Sequence, residues 1–222
     1  MTQGFRNFVF DVDGTLIDSV RDITNAQIWT LRQLGVEEFT HKDLYKYFGK
    51  PLFETFSLIL PQALHVKIPD AVVMYREYYR ERWFETTTLF SGVTDTLSKF
   101  QAEGIGLATA TTKSTETTKS ILAHYGIAPY FHQIQGMEDD MPHKPDPFIL
   151  NKVLSERGWK PEETLMVGDT DKDILLGRNA GVASCGVTYG CLTRTELEAF
   201  EPDFIVDSFP ELLSLASTNG RE

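Results

Sequence analysis

The hydrophobic and polar positions fall into two regimes along the chain. Residues 5–10 read as a strand whose apolar run, Phe8-Val9-Phe10, stops abruptly at Asp11. That is the pattern of a strand buried on both faces of a parallel sheet. From Asp18 to about Thr88 the apolar residues recur at helical spacing instead. Ser19 and Asp22 have the spacing of a capping box, and Gly35 can close the helix that follows. Shorter helices are predicted over 41–48 and 51–60, with a break bracketed by Pro61 and Pro69. A longer helix is predicted from about Asp70, with Val72, Tyr75, Tyr79 and Trp83 along one stripe. Such a stripe predicts the core of a small helical bundle.

At Gly92 the pattern changes again. Val93, Leu97 and Phe100 mark one helix face, ended by Gly104. Ile105–Ala110 is a predicted strand, and a helix from about Ser114 to Tyr125 is closed by Gly126. A strand is predicted near 131–135. Asp146 caps a helix opening at Pro147, a favoured place for proline. Leu165-Met166-Val167 reads as a strand ending at Gly168-Asp169, followed by a helix over 171–180 and a short strand near 183–187. Thr193/Glu196 and Ser208/Glu211 have capping-box spacing and flank the strand Phe204-Ile205-Val206. This alternation implies a parallel sheet with helices on both faces, which the first strand is expected to rejoin. The expected fold class is α/β. A Rossmann-like, doubly wound sheet core is formed by residues 1–17 and 89–222, and an all-helical domain of residues 18–88 is inserted into it. Residues 217–222 are expected to fray.

Composition narrows the picture. A chain of 222 residues, 41% hydrophobic, suffices for one large domain or a core with an insertion. No stretch approaches the roughly 20 apolar residues of a membrane span, and no signal-peptide core precedes the first strand. A cytoplasmic protein is expected. Cys185 and Cys191 are then expected as free thiols rather than a disulfide. The net charge of −11 argues against nonspecific binding of nucleic acid or an anionic membrane. An anionic substrate would need local cations to overcome that field.

In sheets of this kind ligands bind beyond the C-terminal strand ends, so polar residues that follow apolar strands matter most. Asp11 and Asp13 are two apart and can face one site. Close carboxylates repel unless a cation sits between them; with Mg²⁺ there, one can act as nucleophile while the other moves protons. A buried strand followed by a polar turn explains those residues equally well. Thr111-Thr112-Lys113 follows the Ile105 strand, though loop hydroxyls are common. Lys144 precedes Pro145, which favours an extended backbone at the lysine; a solvated loop lysine is the plainer reading. Asp169 and Asp173 stand one helical turn apart and can converge, although capping a helix start would also account for them.

Taken together and in this order, these residues resemble the haloacid dehalogenase superfamily of phosphotransferases. Its four motifs are matched by Asp11-Val12-Asp13-Gly14-Thr15-Leu16, Thr111, Lys144, and Gly168-Asp169 with Asp173. The insertion after Asp18 resembles the helical cap of one large subgroup. Thr111-Thr112-Lys113, Lys144-Pro145-Asp146-Pro147, Val187-Thr188-Tyr189-Gly190 and Pro202–Ser208 are similar to the phosphoglycolate phosphatase-like group. The resemblance implies a Mg²⁺-dependent phosphatase for a small phosphomonoester such as 2-phosphoglycolate, with Mn²⁺ suiting the same oxygen donors. It implies that Asp11 becomes an aspartyl-phosphate and that Asp13 protonates the leaving group and then activates water. It implies metal ligands from the Asp11 carboxylate, the Asp13 carbonyl and Asp169. Thr111 and Lys144 would hold the phosphoryl group, with Thr112 and Lys113 adjoining the substrate. Asp173 would join the metal, directly or through water, or orient Lys144. Gly14 and Thr15 would belong to the turn through which the cap moves. Lys50, in Gly49-Lys50-Pro51-Leu52, would either touch the leaving group or stay solvated. The partner is a small phosphorylated metabolite, bound by a monomer or homodimer. Ser91-Gly92 departs from relatives that carry proline before this glycine.

Rival activities on the same scaffold are a sugar phosphomutase of the β-phosphoglucomutase kind, an inorganic pyrophosphatase and a 5′-nucleotidase. Asp13 disfavours the metal-free dehalogenase branch. A phospho-receiver module is shorter and lacks the insertion. Four intact motifs argue against a mere binding protein.

Overall fold

A computed structural model of the chain describes residues 4–138 and 140–217. The chain divides into two compact units. One comprises the residues up to Ile17 together with those from Leu89 onward, and the other comprises Asp18–Thr88.

In the first unit five parallel strands form one sheet. They are β1 (Asn7–Phe10), β4 (Gly106–Thr109), β5 (Thr164–Gly168), β6 (Ala183–Val187) and β7 (Phe204–Val206), in the order β4-β1-β5-β6-β7. The N-terminal strand does rejoin the later sheet, and it lies near the middle. The chain goes from β1 to one side and then to the other, so the strand order reverses at β1, where such folds open a crevice. The helices α5 (Val93–Ala102), α6 (Thr115–His124), α7 (Phe148–Arg157), α8 (Asp171–Asn179) and α9 (Arg194–Glu198) join the strands.

Alternation along β1 sorts its side chains onto two covered faces. Phe8 stacks on Phe100 of α5 at 4.6 Å, and Phe10 lies 5.5 Å from Phe209. Val9 points the other way, into a cluster with Ala108, Ile149, Leu150, Met166 and Leu176. All four β1 residues are buried. This explains why the strand reads as an apolar run rather than an alternation.

The second unit holds α1 (Val20–Gln33), α2 (His41–Tyr45), α3 (Leu52–Ile59) and α4 (Ile68–Arg82). Tyr75 and Tyr79 of α4 stack at 5.6 Å, and Trp83 just beyond is buried with them, as the aromatic stripe predicts. The chain leaves and re-enters the sheet unit through two short paired strands, β2 (Ile17–Asp18) and β3 (Thr88–Leu89).

Several sequence expectations shift. The strand near 131–135 reduces to a single bridge between Ala108 and Gln133. There the Thr109 hydroxyl exchanges hydrogen bonds with the Gln135 backbone and displaces the next ladder rungs. Pro69 does not break a helix but occupies the first turn of α4, where its missing N–H costs nothing. Pro147 sits one position before α7, yet the Asp146 carboxylate still accepts from the Phe148 N–H at 2.9 Å. Ser19 makes no side-chain capping bond to α1. The Thr193/Glu196 box is formed as predicted. Ser208 bonds Glu211 ahead of a 3₁₀ turn. Both cysteines are free thiols. No described helix is long and apolar enough to cross a membrane. Of the tail expected to fray, only Ser217 lies within the described residues.

Candidate active site

The C-terminal ends of the three adjacent strands β4, β1 and β5 bring the predicted residues together. Asp11 follows β1 directly, and its N–H donates to the Val167 carbonyl of β5 at 2.9 Å. The sheet therefore fixes where this carboxylate starts. Its Oδ1 accepts from the Val12 N–H at 2.8 Å and lies 3.3 Å from Lys144 Nζ. The Thr111 hydroxyl, just past β4, also bonds the Asp11 side chain.

Lys144 reaches inward from the loop before α7, across a cis peptide to Pro145. Its ammonium bonds Asp173 Oδ1 at 2.8 Å, and its side chain is only 1% exposed. Burial alone would lower its pKa, but Asp11 and Asp173 together outweigh burial and raise it. Lys144 is thus a fixed, charged group rather than a solvated loop lysine.

Asp173 sits in the first turn of α8. Its Oδ2 accepts from the Thr170 N–H at 3.1 Å and the Thr170 hydroxyl at 2.7 Å, closing a capping box. One Asp173 oxygen thus caps the helix and the other holds Lys144. Asp169, at the end of β5, is fully buried. Its Oδ1 accepts from the Thr15 hydroxyl at 3.2 Å and its Oδ2 from the Cys191 N–H at 2.8 Å.

Oxygens of Asp11, Asp169 and Asp173 lie within 4.8 Å of one another. Burial, followed by Asp173 and Asp11, pushes the Asp169 pKa well above its ordinary value. Asp11 is pushed up to about 6, chiefly by burial, with Lys144 opposing. One ammonium among three buried carboxylates leaves an excess of negative charge, which is costly in a low-dielectric interior. An oxygen-only donor set short of positive charge fits a hard divalent cation such as Mg²⁺. Asp11, Asp169 and Asp173 are the buried carboxylates whose oxygens could hold such an ion.

Asp13 stands outside this cluster. Its Oδ2 lies 3.1 Å from Lys113 Nζ, a lysine whose side chain is 9% exposed. The two carboxylates of the first motif therefore have different lysine partners. Thr112 is half-buried beside Thr111. Gly14 has φ +78°, and a Cβ there would overlap the Asp169 carboxylate, so only glycine permits this turn. Lys50 lies in the helical unit, paired with Glu54 Oε1 at 2.6 Å on the adjoining turn.

Sequence reasoning missed the supports of Asp169 and Lys144. Thr170-x-x-Asp173 was legible as a capping spacing. The Cys191 contribution is a backbone N–H, which no side chain advertises. Beside it, the Tyr189 hydroxyl donates to the Thr15 carbonyl at 3.0 Å and pins the turn after β1.

A Rossmann-like sheet with an acidic cluster, a buried lysine and a threonine at its carboxyl edge defines a class. Residues 8–187 match the haloacid dehalogenase-like hydrolase family, and the chain belongs to it. Among its relatives, pyrophosphatase PpaX of Bacillus velezensis is 33% identical, covering 93% of this chain and 94% of its own. Phosphoglycolate phosphatase of Vibrio vulnificus is also 33% identical, covering 96% of both. A haloacid dehalogenase-like hydrolase from Streptococcus pneumoniae, 30% identical, superposes with a TM-score of 0.87 over 95% of this chain and 97% of that one.

Proposed function

We propose that the chain is a Mg²⁺-dependent phosphatase for a small phosphomonoester whose leaving group carries its own negative charge, as in 2-phosphoglycolate. The observation carrying this reading is the buried Lys144 ammonium, 3.3 Å from Asp11 and 2.8 Å from Asp173. Asp11 is the nucleophile, attacking phosphorus to form an aspartyl-phosphate. Lys144 and the Thr111 hydroxyl hold the phosphoryl oxygens and offset charge as it builds. Asp13 gives its proton to the departing oxygen and later takes one from the hydrolytic water. Lys113, 3.1 Å from Asp13, would meet the charge of an anionic leaving group. Asp11, the Asp13 carbonyl and Asp169 would hold Mg²⁺, which would supply positive charge to offset that of the phosphoryl group. Thr15, Cys191 and Gly14 keep Asp169 in place for it.

The test is a phosphate-release screen across 2-phosphoglycolate, pyrophosphate, sugar phosphates and nucleotides. Asp11→Asn is expected to abolish release from every one of them, and Asp13→Asn to slow it by about 10²–10⁴-fold. Equal release by wild type and Asp11→Asn would refute the nucleophile. A sugar phosphate isomerised with little free phosphate would make the chain a mutase.

A further inference from the structure

The helical unit has a second place where ligand chemistry converges. A cleft of about 480 Å³ opens between the helices, lined by Trp29, Tyr78, Phe39, Arg32, His41 and Asn25 among others, with no carboxylate in its lining. That volume lies within the range of small-molecule sites. Glu38 and Glu77, which adjoin Phe39 and Tyr78 in sequence, are exposed and outside the lining, while Asp43 bonds Thr40 and Asp22 bonds Thr86 and Thr87. The chain as a whole has a net charge of −11, but residues 18–88 hold ten acidic and nine basic side chains. The helical unit thus escapes the acid excess.

Each group in the cleft has a distinct capability. Trp29 and Tyr78 stack at 4.6 Å with an interplanar angle of 22°, and the Arg82 guanidinium lies 4.6 Å from the Tyr78 centroid. Tyr78 is therefore engaged, whereas Trp29 has no aromatic partner besides Tyr78 among the described residues. Its indole offers a wide, rigid surface to another planar ring. Arg32 makes no ion pair among the described residues, so its fork of N–H donors is open to an anion. The Thr24 hydroxyl gives its proton to the Val20 carbonyl at 2.8 Å. His41 Nδ1 lies 2.8 Å from the same hydroxyl, which leaves Nε2 as the ring nitrogen open to a ligand. Burial, with Arg21 and Arg32, lowers the His41 pKa and keeps the ring neutral. His41 is thus a neutral hydrogen-bonding group for a base edge or a sugar hydroxyl, and the Asn25 amide offers both donor and acceptor.

We propose that this cleft binds a purine nucleoside phosphate, its base stacked on Trp29 and its phosphate on Arg32. Ring, polar edge and anion are all required, because the cleft provides a flat aromatic wall, neutral polar groups and one unpaired cation. A simple anion would leave the stacking surface unused, and a neutral purine would leave Arg32 unpaired. The lining comes wholly from residues 18–88 and includes no member of the carboxylate cluster, and the proposal does not depend on what is hydrolysed there.

The probe is ADP, titrated calorimetrically into the full chain bearing Asp11→Asn so that the nucleotide is not consumed. Saturable one-to-one binding is expected, with adenosine and inorganic phosphate each at least about tenfold weaker. Arg32→Gln, at an exposed position, should weaken ADP by about ten- to a hundredfold, with circular dichroism confirming that the helices persist. Trp29→Leu should weaken ADP and adenosine alike, with circular dichroism confirming that the helices persist. No saturable heat at millimolar ADP would overturn the proposal. So would equal affinity in wild type and Arg32→Gln, which would put the nucleotide elsewhere.

Discussion

Lys144 has the most concentrated role of any single residue. Its ammonium pairs with both Asp11 and Asp173, and its charge is held up by both. At an effective dielectric of 20, one unit charge at 4 Å contributes about 4 kcal/mol, or roughly a thousandfold in rate. Lys144→Ala is expected to lose about that factor in phosphate release. Asp173→Asn should behave differently. An asparagine oxygen can still accept from Lys144, so the loss should stay near tenfold, with the Mg²⁺ concentration for half-maximal activity little changed. If Asp173→Asn proves as damaging as Lys144→Ala, or raises the Mg²⁺ requirement steeply, Asp173 is a metal ligand and not a holder of the lysine. At this scale the side chains of the site were legible in sequence, because strand ends expose them in a fixed order. What was illegible was the pairing. Nothing in the spacing says that Lys113 faces Asp13 while Lys144 faces Asp11, since those partners meet only after the strands are ordered. The backbone N–H of Cys191 on Asp169 is invisible for the same reason.

Asp22 decides how α1 is anchored. The Ser19–Asp22 spacing looks like a capping box, but the carboxylate turns away from the helix start. It accepts four hydrogen bonds, from the N–H and hydroxyl groups of Thr86 and Thr87, at 2.7–2.9 Å. These partners are 64 and 65 residues distant, so a local spacing rule could not find them. The bonds clamp the first turn of α1 to the segment that follows α4 and fix the two ends of the helical unit against each other. Asp22→Ala would strand two backbone N–H groups beside an apolar methyl. Hydrogen bonds to a charged group are worth about 1.5–3 kcal/mol each, so a loss of about 3 kcal/mol or more is expected in urea unfolding. Amide exchange at Thr86 and Thr87 should accelerate in step. A change below about 0.5 kcal/mol, the range of an ordinary surface substitution, would mean the clamp has no energetic role. The missing strand at 131–135 has a similar origin. With Ile134 the segment reads as a strand, but the Thr109 hydroxyl takes over the Gln135 backbone and ends the ladder after one bridge.

Across the whole chain, the change of pattern at residues 18 and 92 was enough to read an α/β sheet with a helical segment inside it, because helical and strand periodicities differ. Strand order was not, since hydrophobic runs record burial and not neighbours. Only the crossover rules favour placing β1 inside the sheet, and the register beside β4 and β5 is what gathers the site. That arrangement has a consequence for folding. Both faces of β1 are covered from within the sheet unit, by Phe100 and Phe209 on one side and Ile149, Met166 and Leu176 on the other. The unit thus holds a complete core of its own, and the chain passes out of it and back through two strands, β2 and β3, that pair directly. Closing a short loop between paired strand ends costs little entropy. Residues 19–87 replaced by a short glycine-serine linker should therefore leave a sheet unit that folds alone. Its thermal unfolding should be cooperative, and the amides of β1 and β5 should be the slowest to exchange. A non-cooperative melt with those amides unprotected would mean that β1 gains its order from the helical segment, and that the two pattern regimes in the sequence do not correspond to separable folding units.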